Sequence, residues 1–386
     1  MKKLGNIILL LFFSQLLSAK VAYLPLITNA PLYPDLILLM ALDLDSGQIL
    51  NQVEIGDGVG AVFVDDSGKQ LFAAASKDMK IVHIDTETLE IVEQWNNLPT
   101  NPARIILSED NNKLYFVNTN AGTGSQDMFQ IDLSSNQISS VLSFPNFTIQ
   151  DILYSENLKF LSLILSNNST NQLSIQTYNS NDLILKYTTS IITSPSISMI
   201  DNEGENYYLI DNQQSKLESR TLSDDSVNWS FTYPGESEFY SIYEHGVSNL
   251  IASGSINSYQ INKLTGNGSP LVGDGSNMTL SDSYDRIDLG NFVQVEKPYI
   301  DCNFLICALM TKLDIKKINL VNNTSEIVYQ SQNALGSQPK GRFVGENLYR
   351  GTAVQQVPVS NYLSLMLLLA GFIFLASLRN TGLKNK

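Results

Sequence analysis

The stretch that most invites a chemical reading is "KIVHIDTETLEIVEQW", which begins at Lys80. It holds His83, one of only two histidines in 386 residues, followed by Asp85 and a run of Thr and Glu. An imidazole two residues from a carboxylate is the raw material of a general acid–base pair or of half a metal site. The other histidine, His245, stands in the polar turn "YEHGVSN" and has no spaced partner. A zinc site needs three or four protein ligands, so neither histidine founds one. No Gly-x-Ser-x-Gly elbow and no Ser–His–Asp order is present. "GDGVGA" at Gly56 to Ala61 has the look of a dinucleotide loop, but "VFVDDSGKQLFAAA" follows it. That continuation is a hairpin, whereas a phosphate loop must open a helix. The glycines are therefore expected in a tight turn. "DLDSG" from Asp43 and "GDGSN" from Gly273 imitate calcium loops without the full ligand series. No metal, no cofactor and no catalytic residue is predicted.

The element that holds His83 is a repeat. "IVHIDTETLEIV" is a β-rich run, a polar turn and a second β-rich run, and the same phrase surrounds Asp43 and Asp132. Weaker copies centre on Asn179, Thr221, Asn262 and Asn319. A second phrase alternates with it, a hairpin whose second strand carries a large apolar pair: Leu71, Leu114, Phe160, Tyr207, Leu250, Phe304 and Leu348. The step from the first marker to the next second marker is 28 or 29 residues, except for 42 between Asn262 and Phe304. Four short strands in a period of about 45 residues match one propeller blade. The prediction is all-β: a seven-bladed β-propeller with four-stranded blades over residues 35–352. The chain enters at the third and fourth strands of a blade, residues 37–55, and leaves after two strands near Thr352, so two half-blades should pair. Asp43, Asp85 and Asp132 recur at one position of the repeat, which marks turn formers, whose side chains bond their own backbone. His83 then reads as a strand-surface or inter-blade histidine.

The repeat resembles the YVTN group of seven-bladed propellers, most closely at residues 82–88 and 107–118. That resemblance implies the fold. Some propellers similar to that group are lactonases or subunits of periplasmic dehydrogenases, so it also implies two enzymatic alternatives.

The ends differ from the body. Residues 1–19, "MKKLGNIILLLFFSQLLSA", place two lysines before an apolar run and small residues at Ser18 and Ala19. This is a secretory signal pattern, with an uncleaved anchor as the alternative. A lead-in at 20–34 follows. Beyond a linker at 353–360, residues 361–378 carry no charge, and about 18 residues at 1.5 Å each just cross a bilayer. A basic tail, 379–386, stays cytoplasmic by the positive-inside rule and leaves the propeller outside. Val357, Pro358 and Arg379 resemble parts of the PEP-CTERM and IPTL-CTERM sorting signals, which implies a processing enzyme; a plain anchor has the same outline.

Composition narrows the partners. Charged residues are 16% of the chain, and 38 acids against 24 bases give a net charge of −14. With no basic cluster in the body, nucleic acid is excluded as a ligand. Cys302 and Cys307 lie five residues apart. Along a strand that is about 16 Å, past the reach of a disulfide, so they are separate thiols unless a turn carries the chain past Cys302. The one irregular spacing places about 13 extra residues in an inter-blade loop between Asn262 and Phe304. Loops carry function more often than cores, so the face bearing inter-blade and second-to-third-strand loops is the expected binding face. Its candidate residues are Asn120, Gly124, Pro234, Asp274, Asn277, Asp282 and Asp285. The expected protein is an exported, membrane-anchored propeller, in the periplasm or on the cell surface. It would bind a protein or an envelope polymer; the alternative is a propeller enzyme of the lactonase or dehydrogenase-subunit type.

Overall fold

The computed structural model describes residues 20–351 apart from 28–36, 66, 109–111, 120–125, 156–157, 192–195, 202–204, 212–213, 233–238, 246–247, 255–256, 275–277, 281–290, 297–312, 320–323, 332–343 and 347. Among the described residues there are 28 strands in seven four-stranded antiparallel sheets. The first sheet joins β1 (Lys20–Ile27), β2 (Ile37–Asp43) and β3 (Ile49–Glu54) to the last strand, β28 (Val344–Glu346). The second runs in chain order through β4 (Val59–Val64), β5 (Gln70–Ala75), β6 (Lys80–Asp85) and β7 (Glu90–Trp95). The third holds β8 (Arg104–Ser108), β9 (Lys113–Val117), β10 (Gln126–Asp132) and β11 (Gln137–Phe144). The fourth holds β12 (Phe147–Ser155), β13 (Phe160–Asn167), β14 (Leu173–Asn179) and β15 (Leu185–Ile191). The fifth holds β16 (Ser196–Ile200), β17 (Asn206–Asp211), β18 (Lys216–Thr221) and β19 (Val227–Thr232). The sixth holds β20 (Phe239–His245), β21 (Asn249–Gly254), β22 (Asn257–Asn262) and β23 (Gly268–Asp274). The seventh holds β24 (Met278–Leu280), β25 (Asn291–Glu296), β26 (Leu313–Asn319) and β27 (Thr324–Ser331).

The first strands of neighbouring sheets touch in succession, β4 with β8, β8 with β12, β12 with β16, β16 with β20 and β20 with β24. Each sheet thus presents its first strand to a common axis, in a propeller-like arrangement. The second strands carry the core. Leu71 to Ala75, Leu114 to Val117 and Leu161 to Leu165 are nearly all fully buried apolar side chains, with Ser162 the polar exception. A strand that reads as a continuous apolar run is covered on both faces, here by the sheets on either side. Outer strands are wetter: Val92, Leu185, Val227 and Ile327 are exposed on β7, β15, β19 and β27.

The turn between third and fourth strands has one geometry, and the repeated Asp is its organiser. Asp85 Oδ1 accepts the N–H groups of Glu87 and Thr88 at 2.8 and 2.9 Å. Asp43 and Asp132 accept the matching pairs in their sheets, as Asn262 does in the sixth. Four residues on, the chain donates back to the marker carbonyl, as from Leu89 to Asp85 and from Gly266 to Asn262. The donating residue has positive φ: 55° at Leu89, 58° at Asn136, 69° at Gly266. The fifth sheet has Thr221 in the marker position and holds the turn differently. Arg220 Nη1 donates to Asp225 Oδ1 at 2.9 Å, and the buried Tyr207 hydroxyl donates to the same carboxylate.

Closure differs from the expected pairing of half-blades. β1 occupies the second position of the first sheet, so three strands come from the N-terminal side and one from the C-terminal side. Part of the expected lead-in is therefore a strand. "KVAYLPLI" carries no polar turn, and so it did not register in the ladder of hairpins. Pro25, which cannot donate to a ladder, lies past the Lys20–Ala22 stretch that pairs with β28. After β28 the chain leaves the sheet, and Arg350 N–H donates to Glu87 O at 3.0 Å on the second sheet. Leu348 is in this irregular segment, not in a second strand.

The irregular spacing is corrected as well. The segment after Asn262 is not a loop: Gly268–Asp274 is β23 and Met278–Leu280 is β24. The second strand of the seventh sheet begins at Asn291, 29 residues after Asn262 and in step with the other sheets. The extra residues fall instead between β25 and β26, at 297–312, a stretch outside the described residues that includes Cys302, Phe304 and Cys307. Phe304 was misleading because its apolar pair mimics the buried second strands.

Two substitutions test this packing. Asp85→Ala leaves two backbone donors without their acceptor and should lower stability by about 1 kcal/mol. Gly266→Ala should cost more, since φ is +69° and the added Cβ would sit 2.7 Å from the Trp229 ring of the preceding sheet. Urea unfolding midpoints report both; an unchanged midpoint for the glycine variant would contradict the sheet contact.

Candidate functional site

The residues first suspected of chemistry are spent on structure. His83 is half-buried on β6 and stacks on Phe72 of β5, with ring centroids 4.7 Å apart and planes 15° from parallel. Burial lowers its pKa below 6.5, against the opposing pull of Glu93, Asp85 and Asp65. Asp85 serves its turn. The group around Arg220 is an internal network: Arg220 bonds Glu218 and Asp225, and Lys216 bonds Glu218. Burial pushes the Glu218 carboxyl up, but the hydrogen bonds from Lys216 and Arg220 outweigh it and hold the pKa below its usual value. Gly56 and Gly58 adopt φ of +119° and +75°, and the Asp57 between them bonds Lys77 and Asp78. "GDGVGA" is thus the turn from the first sheet to the second. Among the described residues, no group of three His, Cys, Asp or Glu side chains is placed to hold a metal.

The loop candidates scatter. Asn120, Gly124, Pro234, Asn277, Asp282 and Asp285 lie outside the described residues. Asp274 is described, and it belongs to β23 opposite Asn257 rather than to a loop. Asp282 and Asp285 fall between β24 and β25, a first-to-second-strand connection, and so not in an inter-blade loop. Val357, Pro358, Arg379 and the two apolar termini also lie outside the described residues; among the described residues no helix is long and apolar enough to cross a membrane.

A different set of residues comes together at the axis. Arg104 begins β8 and Asp151 lies on β12, adjacent first strands of the third and fourth sheets. Arg104 Nε donates to Asp151 Oδ1 at 2.9 Å, and its Nη1 donates to Ala103 O at 2.9 Å. These bonds leave the Nη2 edge for a ligand oxygen. Gln150, next to Asp151, is exposed although it stands on an innermost strand. Solvent therefore reaches the axis at this end, where the inter-sheet turns lie. In such a pair the guanidinium can bind an anionic or carbonyl oxygen, and the carboxylate can accept a proton from an attacking water. This pair was not singled out in the sequence, because its members are 47 residues apart and neither repeats. The available signal was a charged residue just before an apolar run on a first strand, Arg104 before Ile105–Leu107 and Asp151 before Ile152–Leu153.

No protein-family model matches the chain, and no curated protein matches it in sequence. Among solved structures it is similar to a candidate 6-phosphogluconolactonase from Bacteroides uniformis, with 12% identity and a TM-score of 0.57 over 85% of this chain and 99% of that one. A second candidate 6-phosphogluconolactonase, from Bacteroides fragilis, is 11% identical with a TM-score of 0.57, over 86% and 99% of the two chains. A protein from Lactobacillus plantarum is 10% identical with a TM-score of 0.55, over 87% and 99%. At these identities the likeness shows the fold, a propeller-like all-β architecture, and nothing of the activity.

Two measurements separate structural from functional groups. The His83 ring should titrate below 6.5 by NMR. Its folded pKa is depressed, so the unfolded chain binds more protons just below 6.5; the stability it contributes is present above 6.5 and lost as pH falls. A His83→Gln variant should lose that part of the pH dependence. By contrast, the side chains of Arg104 and Asp151 are 16% and 29% exposed, and Arg104→Ala should cost less than about 1 kcal/mol in urea unfolding, as for a partly hydrated ion pair.

Proposed function

We propose that this chain is a seven-bladed propeller that takes a small ligand at its axis, and that hydrolysis of a sugar lactone is the activity it performs there. The observation that carries the reading is the Arg104–Asp151 pair, set on adjacent first strands at the end of the axis that solvent reaches. In this reading Arg104 steadies the oxygen that gains charge as water attacks the lactone carbonyl, and Asp151 accepts the water's proton. The fold shared with candidate 6-phosphogluconolactonases supports the choice of a lactone as the first substrate class.

The test is a titration assay of acid release from 6-phosphogluconolactone and gluconolactone, corrected for enzyme-free hydrolysis. Wild-type protein should exceed the background rate. Asp151→Asn should lower kcat at least about 100-fold, the usual scale for a general base, with an unchanged unfolding midpoint. No rate above background with either lactone would sink the enzymatic reading.

A second reading is an exported interaction module with no chemistry of its own. It is favoured by the use of His83, Asp85 and the Arg220 network in turns and packing. Both readings include export through residues 1–19 and anchoring through 361–378. Fractionation of cells expressing the full chain, and a form ending at residue 352, should move the protein from the membrane to the soluble exported fraction. Membrane retention of the shorter form would remove the C-terminal anchor from the proposal.

A further inference from the structure

The chain enters and leaves the propeller at one end. Neighbouring strands run antiparallel, so in each sheet the first-to-second and third-to-fourth turns lie together, at what is here the turn end. Lys20, where β1 begins, pairs with Glu346, where β28 stops. The Lys20 carbonyl accepts the Leu44 N–H at 2.8 Å, from the turn between β2 and β3. Both points therefore stand at the turn end. The exit is then tied down. Besides the backbone bond to Glu87, the exposed Arg350 guanidinium lies 3.4 Å from the Glu87 carboxylate, in the turn between β6 and β7. Residues 352–360 separate this point from the uncharged run that starts at Asn361, and nine extended residues span at most about 30 Å. Arg104, at the start of its first strand, stands at the opposite end.

Exposed apolar side chains are unevenly placed. Among the described residues, every large one except Met79 lies at the turn end, either in a turn or in the first half of an outer strand. Met79 lies between β5 and β6, at the opposite end. The extreme case is Leu264, 85% exposed in the turn between β22 and β23. Two residues past the marker, where Leu264 stands, the first five sheets carry Asp45, Glu87, Ser134, Asn181 and Ser223, as turns in water would. Leu264 is held firmly, since its N–H donates to Asn262 Oδ1 at 3.1 Å. Ile184 is held in the same way, by Asp182 Oδ1 at 3.0 Å. Lysines adjoin these tips: Lys159 follows Leu158, Lys186 stands between Leu185 and Tyr187, and Lys263 precedes Leu264. Apolar tips with basic neighbours suit a surface that meets lipid, because a lysine stem can follow the apolar contact while its head stays among the headgroups. Exposed acids at the same end, such as Asp45 and Asp224, favour neutral headgroups over anionic ones.

We propose that the turn end of the propeller lies against the membrane that anchors residues 361–378, with Leu158, Ile184, Leu185, Tyr187 and Leu264 entering a layer of neutral headgroups. The end that bears Arg104 then opens away from the lipid, and an axial ligand arrives from the aqueous side. This rests on the C-terminal anchor proposed above and goes beyond it by assigning the face that touches lipid. The short tether holds the turn end near the bilayer, and the apolar tips are what that end presents to it.

The experiment places the full chain in phosphatidylcholine vesicles and compares Leu264→Trp with Met79→Trp. Phosphatidylcholine brominated near the headgroup serves as the fluorescence quencher. Both positions are exposed, so unfolding midpoints should match wild type, and the wild-type signal of Trp95 and Trp229 is subtracted. Leu264→Trp should lose most of its added emission in brominated vesicles, while Met79→Trp should keep it. Adding Ile184→Asp and Leu185→Asp to Leu264→Trp should restore emission, because charge is then forced toward the lipid. A full chain that washes off the vesicles would overturn the anchor and this proposal together. A chain that stays on them with both tryptophans quenched alike, or with neither quenched, would overturn the proposal and leave the anchor standing. Unquenched Leu264→Trp emission that shifts to the blue as protein density rises would assign the face to a second copy of this chain, and would likewise overturn contact with lipid.

Discussion

Both faces of each sheet's second strand must be covered, and the rest of the structure follows from that need. A run such as Leu71 to Ala75 has no polar face to offer water. Each buried side chain of this size is worth roughly 1.5–3 kcal/mol, so a sheet with an uncovered second strand would forfeit much of its stability. A neighbour on one side is not enough. The sheets therefore continue until the last one meets the first. That meeting is visible where Tyr329 of β27 joins the core cluster of Tyr23, Leu39 and Met40, and where a Cβ on Gly47 would strike Val328 O. The hydrogen bonds of β28 to Lys20–Ala22 complete the first sheet across the two ends of the chain.

Such a circle divides its residues by radius. Outer strands face solvent and tolerate variation. Middle strands are spent on packing. Turns at the hairpin end are held by repeated Asp and Asn side chains. What is left for chemistry is the axis, where first strands approach one another and where a polar group is neither needed for packing nor freely hydrated. Arg104, Gln150 and Asp151 stand there. The groups that looked more reactive in the chain, His83 and Asp85, lie on the third strand of a sheet, among Phe72, Glu93 and the turn of residues 85–89.

The period of the hairpins announced the sheets, because strand length, turn chemistry and burial repeat with the same step. Asp85 was legible as a turn former because recurrence distinguishes structure from chemistry. The seventh sheet was misjudged, because "DCNFLICAL" has the apolar content of a second strand, and nothing local says that the pairing partner of β26 is Asn291–Glu296 instead. β1 was missed for the converse reason: its apolar run has no turn attached, and its partners β2 and β28 come from opposite ends of the chain.

The amino-acid sequence by itself determined the strand repeat, the turn that closes each third and fourth strand, the acidic balance and the apolar segments at both ends. These are local properties, fixed by side-chain alternation, turn preference and composition. Tertiary structure alone decided how the ends share a sheet, where the extra residues of the seventh repeat go and which polar residues meet. Arg104 and Asp151 find each other only because the third and fourth sheets set their first strands side by side, and Gln150 reaches solvent only because one residue fails to pair with β13. Contacts between residues that neither repeat nor neighbour each other leave no periodic trace in a chain, and the axial site consists of such contacts.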